Sequence, residues 1–426
     1  MSWYGNTRLI SHLRTAVGLV CACLGAGAHA AWVSELRGGV ESRYDDNVRL
    51  STEGEESAIA TNVGGELSLR RVTENSEIAA IAGATFLNYS AYDGAEDLDN
   101  EDIQYLDIRS HRSGDRARVG FDGSVRRDVL LETVGFIVDP IGRTPVGQGA
   151  QPQPGQGSGG VPAADPTYTN TDAGSVEEQV RRIQTWAAPY VNYELSEKTG
   201  VRFGYTYFGL DYDQQLTTGL EDSKTNAVNV EFSNQVSLRD SARIGARAAR
   251  FDPQTDPEET DAYEVTVGWS RQFSDTTSAG IDLGVQQSER ADESYSGYVT
   301  RIFADRRIEA GAIRGRYEHS LQPSGYGDLV ESDTLDVNYE LSLSDRLDLR
   351  IDGRAYRTRN SKDQTSNDDN DRDYAEVGPG LTFGITEVMS LGVFYRYQWV
   401  DRKVDSTSGT SNAVGLTLSY RARPRI

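Results

Sequence analysis

The stretch LDLRIDGRAYRT at 347–358 sets Asp348, Arg350, Asp352 and Arg354 at every second position, with Leu347, Leu349, Ile351 and Ala355 on the other parity. In an extended chain alternate side chains project to opposite faces, so these four charges share one face. A dry core would not tolerate them, whereas a wet face accepts them. Guanidinium groups form planar forks that match carboxylate, phosphate or sulfate, so the chemistry on offer is anion recognition rather than bond making. The polar parity of other segments carries Arg118, Arg202, Arg243, Arg247, Arg396 and Arg421. Only four of the 43 basic residues are lysines: Lys198, Lys224, Lys362 and Lys403. Two readings carry equal weight. The arginines form a basic wall that guides an anionic solute or sugar polymer, or they pair with acids such as Asp348 and Asp352 and stiffen the wall.

Bond-making chemistry finds less support. Beyond residue 30 the chain has two histidines, His111 and His319. His111 falls at a short polar turn. His319 falls at a longer connection between Glu318 and Ser320, but neighbours on a strand point to opposite faces, so the trio is no preformed triad. The expectation is a protein that is not an enzyme, with no catalytic residue and no cofactor. The acidic runs DLDNED at 97–102 and NDDNDRD at 367–373 hold the hard oxygens that Ca²⁺ prefers, without the spacing of an EF-hand loop. They read as solvated loops, with a divalent bridge to lipopolysaccharide phosphates as the sharper alternative. No metal site is assigned.

The elements that must position these residues follow a consistent plan. Residues 1–30 read as a signal peptide: Arg8, His12 and Arg14 precede a short apolar run from Ala16 to Ala28, and AHAA offers cleavage after Ala30. Both cysteines, Cys21 and Cys23, lie in that segment, so the exported chain has no disulfide framework. The formal net charge of −22 makes nucleic acid an unsuitable partner. Mean hydropathy is −0.55, and no long apolar stretch follows residue 30, which excludes helical spans. It does not exclude a barrel, whose strands need ~9–11 residues and face lipid only at alternate positions.

Period-two segments recur along the rest of the chain, joined by two kinds of connection that alternate. Short polar turns stand at TENS (73–76), RSGD (112–115), LSEK (195–198), LRDS (238–241), FSDT (273–276), ADRR (304–307), LSDR (343–346) and ITEV (385–388). Longer acidic connections include STEGEES (51–57), DGAEDLDNED (93–102), DPQTDPEETD (252–261), QPSGYGDLVES (322–332) and KDQTSNDDND (362–371). This predicts an all-β, antiparallel, up-and-down transmembrane barrel over 31–426, of 18 strands, or 16 if the connection at 127–178 is misread. In VRFGYTYFG, Val201, Phe203, Tyr205 and Tyr207 face lipid and Arg202 faces water. Tyr205, Tyr207, Tyr395, Tyr397 and Trp399 fall toward one rim, and Trp269 and Tyr420 toward the other, as aromatic girdles do. Residues 134–176 form a long Gly/Pro-rich outer loop by composition.

Three stretches carry a family resemblance: GVESRYDDNVRLS near the start, RRIQTWAAPYVNYELSEKTGVRFGYTYFGLDYD, and GDLVESDTLDVNYELSLSDRLDLRIDGRAYRTR. They resemble the outer-membrane β-barrel family known as β-barrel porin 2, which includes barrels associated with exopolysaccharide and exosortase systems. The resemblance implies the cell outer membrane of a Gram-negative bacterium and a passive or export channel linked to exopolysaccharide secretion or anionic solute passage. The alternative is a non-conducting barrel that serves as an assembly or anchoring scaffold for surface polysaccharide or protein partners. Expected partners are outer-membrane lipid and lipopolysaccharide, the outer-membrane assembly machinery, and polysaccharide. Selectivity is expected at Arg118, Arg202, Arg243, Arg247, Asp348, Arg350, Asp352, Arg354 and Arg396.

Overall fold

A computed structural model describes residues 32–51, 54–93, 98–130, 179–213, 220–254, 259–290, 293–323, 329–360, 371–403 and 407–424. The expected signal peptide (1–30) and the expected outer loop (134–176) lie outside them. The chain forms one closed antiparallel sheet of 18 strands. The first nine are β1 (Trp32–Asp45), β2 (Ser57–Val72), β3 (Ser76–Asp93), β4 (Glu101–Ser113), β5 (Ala117–Leu130), β6 (Val180–Ser196), β7 (Thr199–Tyr212), β8 (Ser223–Gln235) and β9 (Asp240–Pro253). The rest are β10 (Thr260–Ser274), β11 (Thr277–Arg290), β12 (Glu293–Ile308), β13 (Gly311–Pro323), β14 (Leu329–Ser344), β15 (Leu347–Asn360), β16 (Arg372–Gly384), β17 (Met389–Arg402) and β18 (Thr407–Arg421). Each strand pairs with its sequence neighbours, and β1 pairs with β18 from Arg37↔Arg421 to Asp45↔Ala413. Closure leaves no unpaired strand edge, which a lipid environment requires.

The two faces of the wall differ as the alternation predicts, and the apolar face is the outer one. Among the described residues 47 large apolar or aromatic side chains are exposed and 25 hydrophobic residues are buried, an inside-out distribution. Phe86, Val285 and Leu416 are each more than half exposed. On β14 the outward row runs Leu335, Val337, Tyr339, Leu341 and Leu343, then turns polar at Asp333. Neighbouring strands change at the same height, and the outward polar groups there are cross-linked: Arg357 to Asp373 at 2.7 Å, Arg250 to Asp261 at 2.8 Å, Arg127 to Asp102 at 3.1 Å. Just below, Tyr205 and Tyr395 each donate to an asparagine on the next strand, Asn226 and Asn412, at 2.6 Å. A water–lipid boundary accounts for this stratification.

Three sequence expectations need correction. ADRR at 304–307 is not a turn but part of β12, with Asp305 opposite Arg314, and the turn falls at 309–310. Asp305 and Arg307 point into the lumen, where charge is tolerated, so a polar strand end resembled a turn. Strands run 13 to 18 residues, longer than the lipid-spanning minimum, because pairing continues above the membrane where both faces are polar. At the long-loop end the strand ends therefore lie closer in sequence than expected, with only two residues between β11 and β12. Strict alternation of length thus has an exception, although the alternation of ends holds.

Candidate lumen site

All nine residues expected to line the lumen lie on the inward parity, opposite the exposed apolar rows. Most are already engaged. Arg243 grips Asp282 through two bonds of 2.6 Å, reaching from β9 to β11 across β10. The residue it crosses is Gly268, in register with both; a methyl group there would sit 1.9 Å from Asp282 Oδ1 and 2.6 Å from Arg243 Nε. Arg354 bonds Asp336 at 2.7 Å, and Arg350 bonds Asp352 at 2.6 Å. Asp352 also accepts from Asn338 at 2.7 Å, and Asp348 from Ser342 at 2.7 Å. Arg202 lies over the Tyr190 ring at 4.4 Å, and Arg118 faces Asn192. Arg247 sits opposite Glu264, whose oxygens are taken by Arg301 at 2.7 and 3.2 Å.

Arg396 differs. It is 3% exposed, and none of its three guanidinium nitrogens has a hydrogen-bond partner among the described residues. Its row in the sheet runs Arg396–Ala413–Asp45 across β17, β18 and β1. One row over, Arg43 and Tyr89 stand on either side of Ala60 across β1, β2 and β3. Small residues stand between these side chains at Ala413 and Ala60, whereas the space over Gly415 holds the Phe394 ring. Arg43 lacks partners at Nε and Nη2, Tyr89 at its hydroxyl, Glu41 at Oε2 and Asp45 at Oδ2; Arg43 Nε and Asp45 Oδ2 are 4.0 Å apart. The other oxygen of Asp45 accepts from Ser411 at 2.6 Å and from the Asn47 amide at 3.1 Å. ESRYD, with Glu41, Arg43 and Asp45 at alternate positions, was a signal in the sequence for this cluster.

The segment after β1 turns inward and covers the cluster. Val48 packs on Ala58, Ala60, Leu87 and Tyr89, and Leu50 on Tyr356, Tyr374 and Val400, so one short turn spans both sides of the β1–β18 seam. Val48 is 1% exposed and Leu50 0%. Asn47 holds the turn: its side chain donates to the carbonyls of Ser51 (2.8 Å) and Thr410 (3.0 Å) and accepts from the Ser51 amide. Leu50 has φ of 55°, a left-handed conformation that costs a non-glycine residue about 1 kcal/mol or more. Gly409 is required beneath it, since a methyl group there would lie 2.5 Å from the Leu50 carbonyl oxygen. A second inward seat holds Leu220 against Val180 and Tyr212.

The histidines sit elsewhere. His111 is on β4, inward, opposite Glu77, rather than at a turn. His319 lies on β13 rather than in a connection, and it faces outward. Its Nδ1 is 2.9 Å from Asp333 Oδ1, its ring stacks on Tyr298 at 4.0 Å, and Tyr317 donates to Asp333 at 2.6 Å. Glu318 and Ser320 point to the other side, and Glu318 serves Arg301 at 3.0 Å. Among the described residues no group of three or more His, Cys, Asp or Glu is placed to hold a metal ion. The acidic runs at 97–102 and 367–373 fall partly outside those residues.

A closed barrel with an apolar exterior, a charged interior and polar rims is built to stand in a bilayer by its strands. The chain is an outer-membrane β-barrel. Solved structures of similar form include OccK7 (OpdD) of Pseudomonas aeruginosa, with 10% identity, TM-score 0.47, and coverage of 94% of this chain and 100% of that one. OccAB4 of Acinetobacter baumannii has 9% identity and TM-score 0.45, covering 93% and 98%. OprD of P. aeruginosa has 10% identity and TM-score 0.43, covering 93% and 96%. No protein-family model and no curated protein matches the sequence, so the likeness to the β-barrel porin 2 family rests on its hairpins alone.

Proposed function

We propose that the protein is a passive outer-membrane pore for anionic solutes, with export of an exopolysaccharide as its most specific form. The observation that carries the reading is the inward wall: it carries arginines and carboxylates on many strands, alternating along β1 and β15, around an enclosed lumen. Charges in that number need water, and a hydrated lumen bounded by lipid is a path. The exopolysaccharide version draws on the hairpin resemblance. Transport of this kind uses no cofactor. A non-conducting scaffold is the second reading, favoured by one observation, the inward turn seated by Val48 and Leu50. Reconstitution into planar bilayers separates the two. Stepwise single-channel currents from the folded barrel are expected of the pore; a folded, inserted barrel without current would favour the scaffold.

A further inference from the structure

We propose that Arg43, Arg396 and Tyr89, with Glu41 and Asp45, form a binding station in the lumen for a small hydroxylated carboxylate, the chemistry of a sugar acid. The station deepens the pore reading and rests on it for its role in transport.

Three observations converge. First, Arg396 and Arg43 are each 3% exposed, and Arg396 has no hydrogen-bond partner among the described residues at any of its three nitrogens. A buried guanidinium without an acceptor is costly, and a carboxylate held by its fork removes that cost. Secondly, register brings the groups together: Arg396 and Asp45 flank Ala413, and Arg43 and Tyr89 flank Ala60. Each row spans two strand spacings, roughly 10 Å, with only a methyl group on the strand between. Thirdly, acceptors stand beside the donors. Glu41 Oε2 and Asp45 Oδ2 have no hydrogen-bond donor. A bare inorganic anion would satisfy the arginines and be repelled by these oxygens. A solute with a carboxylate at one end and hydroxyls along its body answers both sets.

The turn from Asp46 to Ser51 roofs this site, and its Asn47 amide bonds Asp45. Val48 belongs to the same buried cluster as Tyr89, whose hydroxyl has no partner among the described residues. Two buried arginines beside carboxylates that they do not hydrogen-bond set this place apart from the pairs at Arg243, Arg301, Arg350 and Arg354.

The test uses the full barrel folded in detergent and in planar bilayers, with D-galacturonate, D-galactose, acetate and a galacturonate oligomer as probes. By calorimetry in detergent, D-galacturonate is expected to bind at least tenfold more tightly than D-galactose or acetate. Arg396→Gln and Arg43→Gln are each expected to lose that preference, and Tyr89→Phe to weaken it about threefold. Binding of the oligomer alone would support the same chemistry and identify an acidic polymer as its source. Equal binding of galactose and galacturonate would overturn the proposal, as would unchanged affinity in folded Arg396→Gln. In bilayers the sugar acid is expected to interrupt the current of the wild type only. Selective binding without any current would leave the station standing and remove the pore; current without selective binding would do the reverse.

Discussion

Two arcs of the inner wall use the same residue type in opposite ways. On the arc from β9 to β15, Arg243, Arg301, Arg350 and Arg354 each hold a carboxylate within 2.6–3.0 Å. On the arc from β17 through the β1–β18 seam to β3, Arg396 and Arg43 lie beside carboxylates and bond none of them at hydrogen-bond distance. The closest contrast is between two triplets, Arg243–Gly268–Asp282 and Arg396–Ala413–Asp45. In both, an arginine and an aspartate flank a small residue on the strand between. Over glycine the bridge forms. Over alanine it does not, and Asp45 turns to Ser411 and Asn47 instead. On the strand between, the two triplets differ by one methyl group.

The contrast can be broken from the stitched side. Asp282→Ala leaves the buried Arg243 without its acceptor and should lower unfolding stability by about 3 kcal/mol, read as a reduced urea midpoint in lipid vesicles. Gly268→Ala drives a methyl group into the bridge itself and should cost about 1–3 kcal/mol by the same measurement. From the other side, Ala413→Gly clears the path between Arg396 and Asp45. It should change stability by less than about 1 kcal/mol, while converting the fork to a stitch and weakening anion preference in reversal-potential measurements. Smallest of all, Tyr205→Phe removes a girdle bond to Asn226 that neither arc shares; a loss of about 0.5–1.5 kcal/mol with unchanged selectivity is expected.

Much of this architecture was legible in the sequence because period two survives wherever lipid lies on one side and water on the other. The lipid face of Val201, Phe203 and Tyr205, the inward set from Arg118 to Arg396, and 18 strands all follow from parity and turn chemistry. What parity cannot supply is register. That Arg396 and Asp45 flank Ala413 depends on how β18 pairs with β1, residues more than 360 positions apart in sequence. Nor does a polar run such as DDNVRLS reveal that Val48 and Leu50 turn inward, since two apolar residues in a loop carry no period. ADRR misled for a related reason: a strand end that is polar on its lumen side resembles a turn.

The central claim, that anion preference resides at the seam and not in the stitched wall, is tested most directly by reversal potential across a KCl gradient. Arg43→Gln with Arg396→Gln should shift it toward cations well beyond the shift from Arg350→Gln with Arg354→Gln, although each pair removes two charges from the same lumen. Equal shifts, or a larger one from the Arg350 and Arg354 pair, would contradict the account.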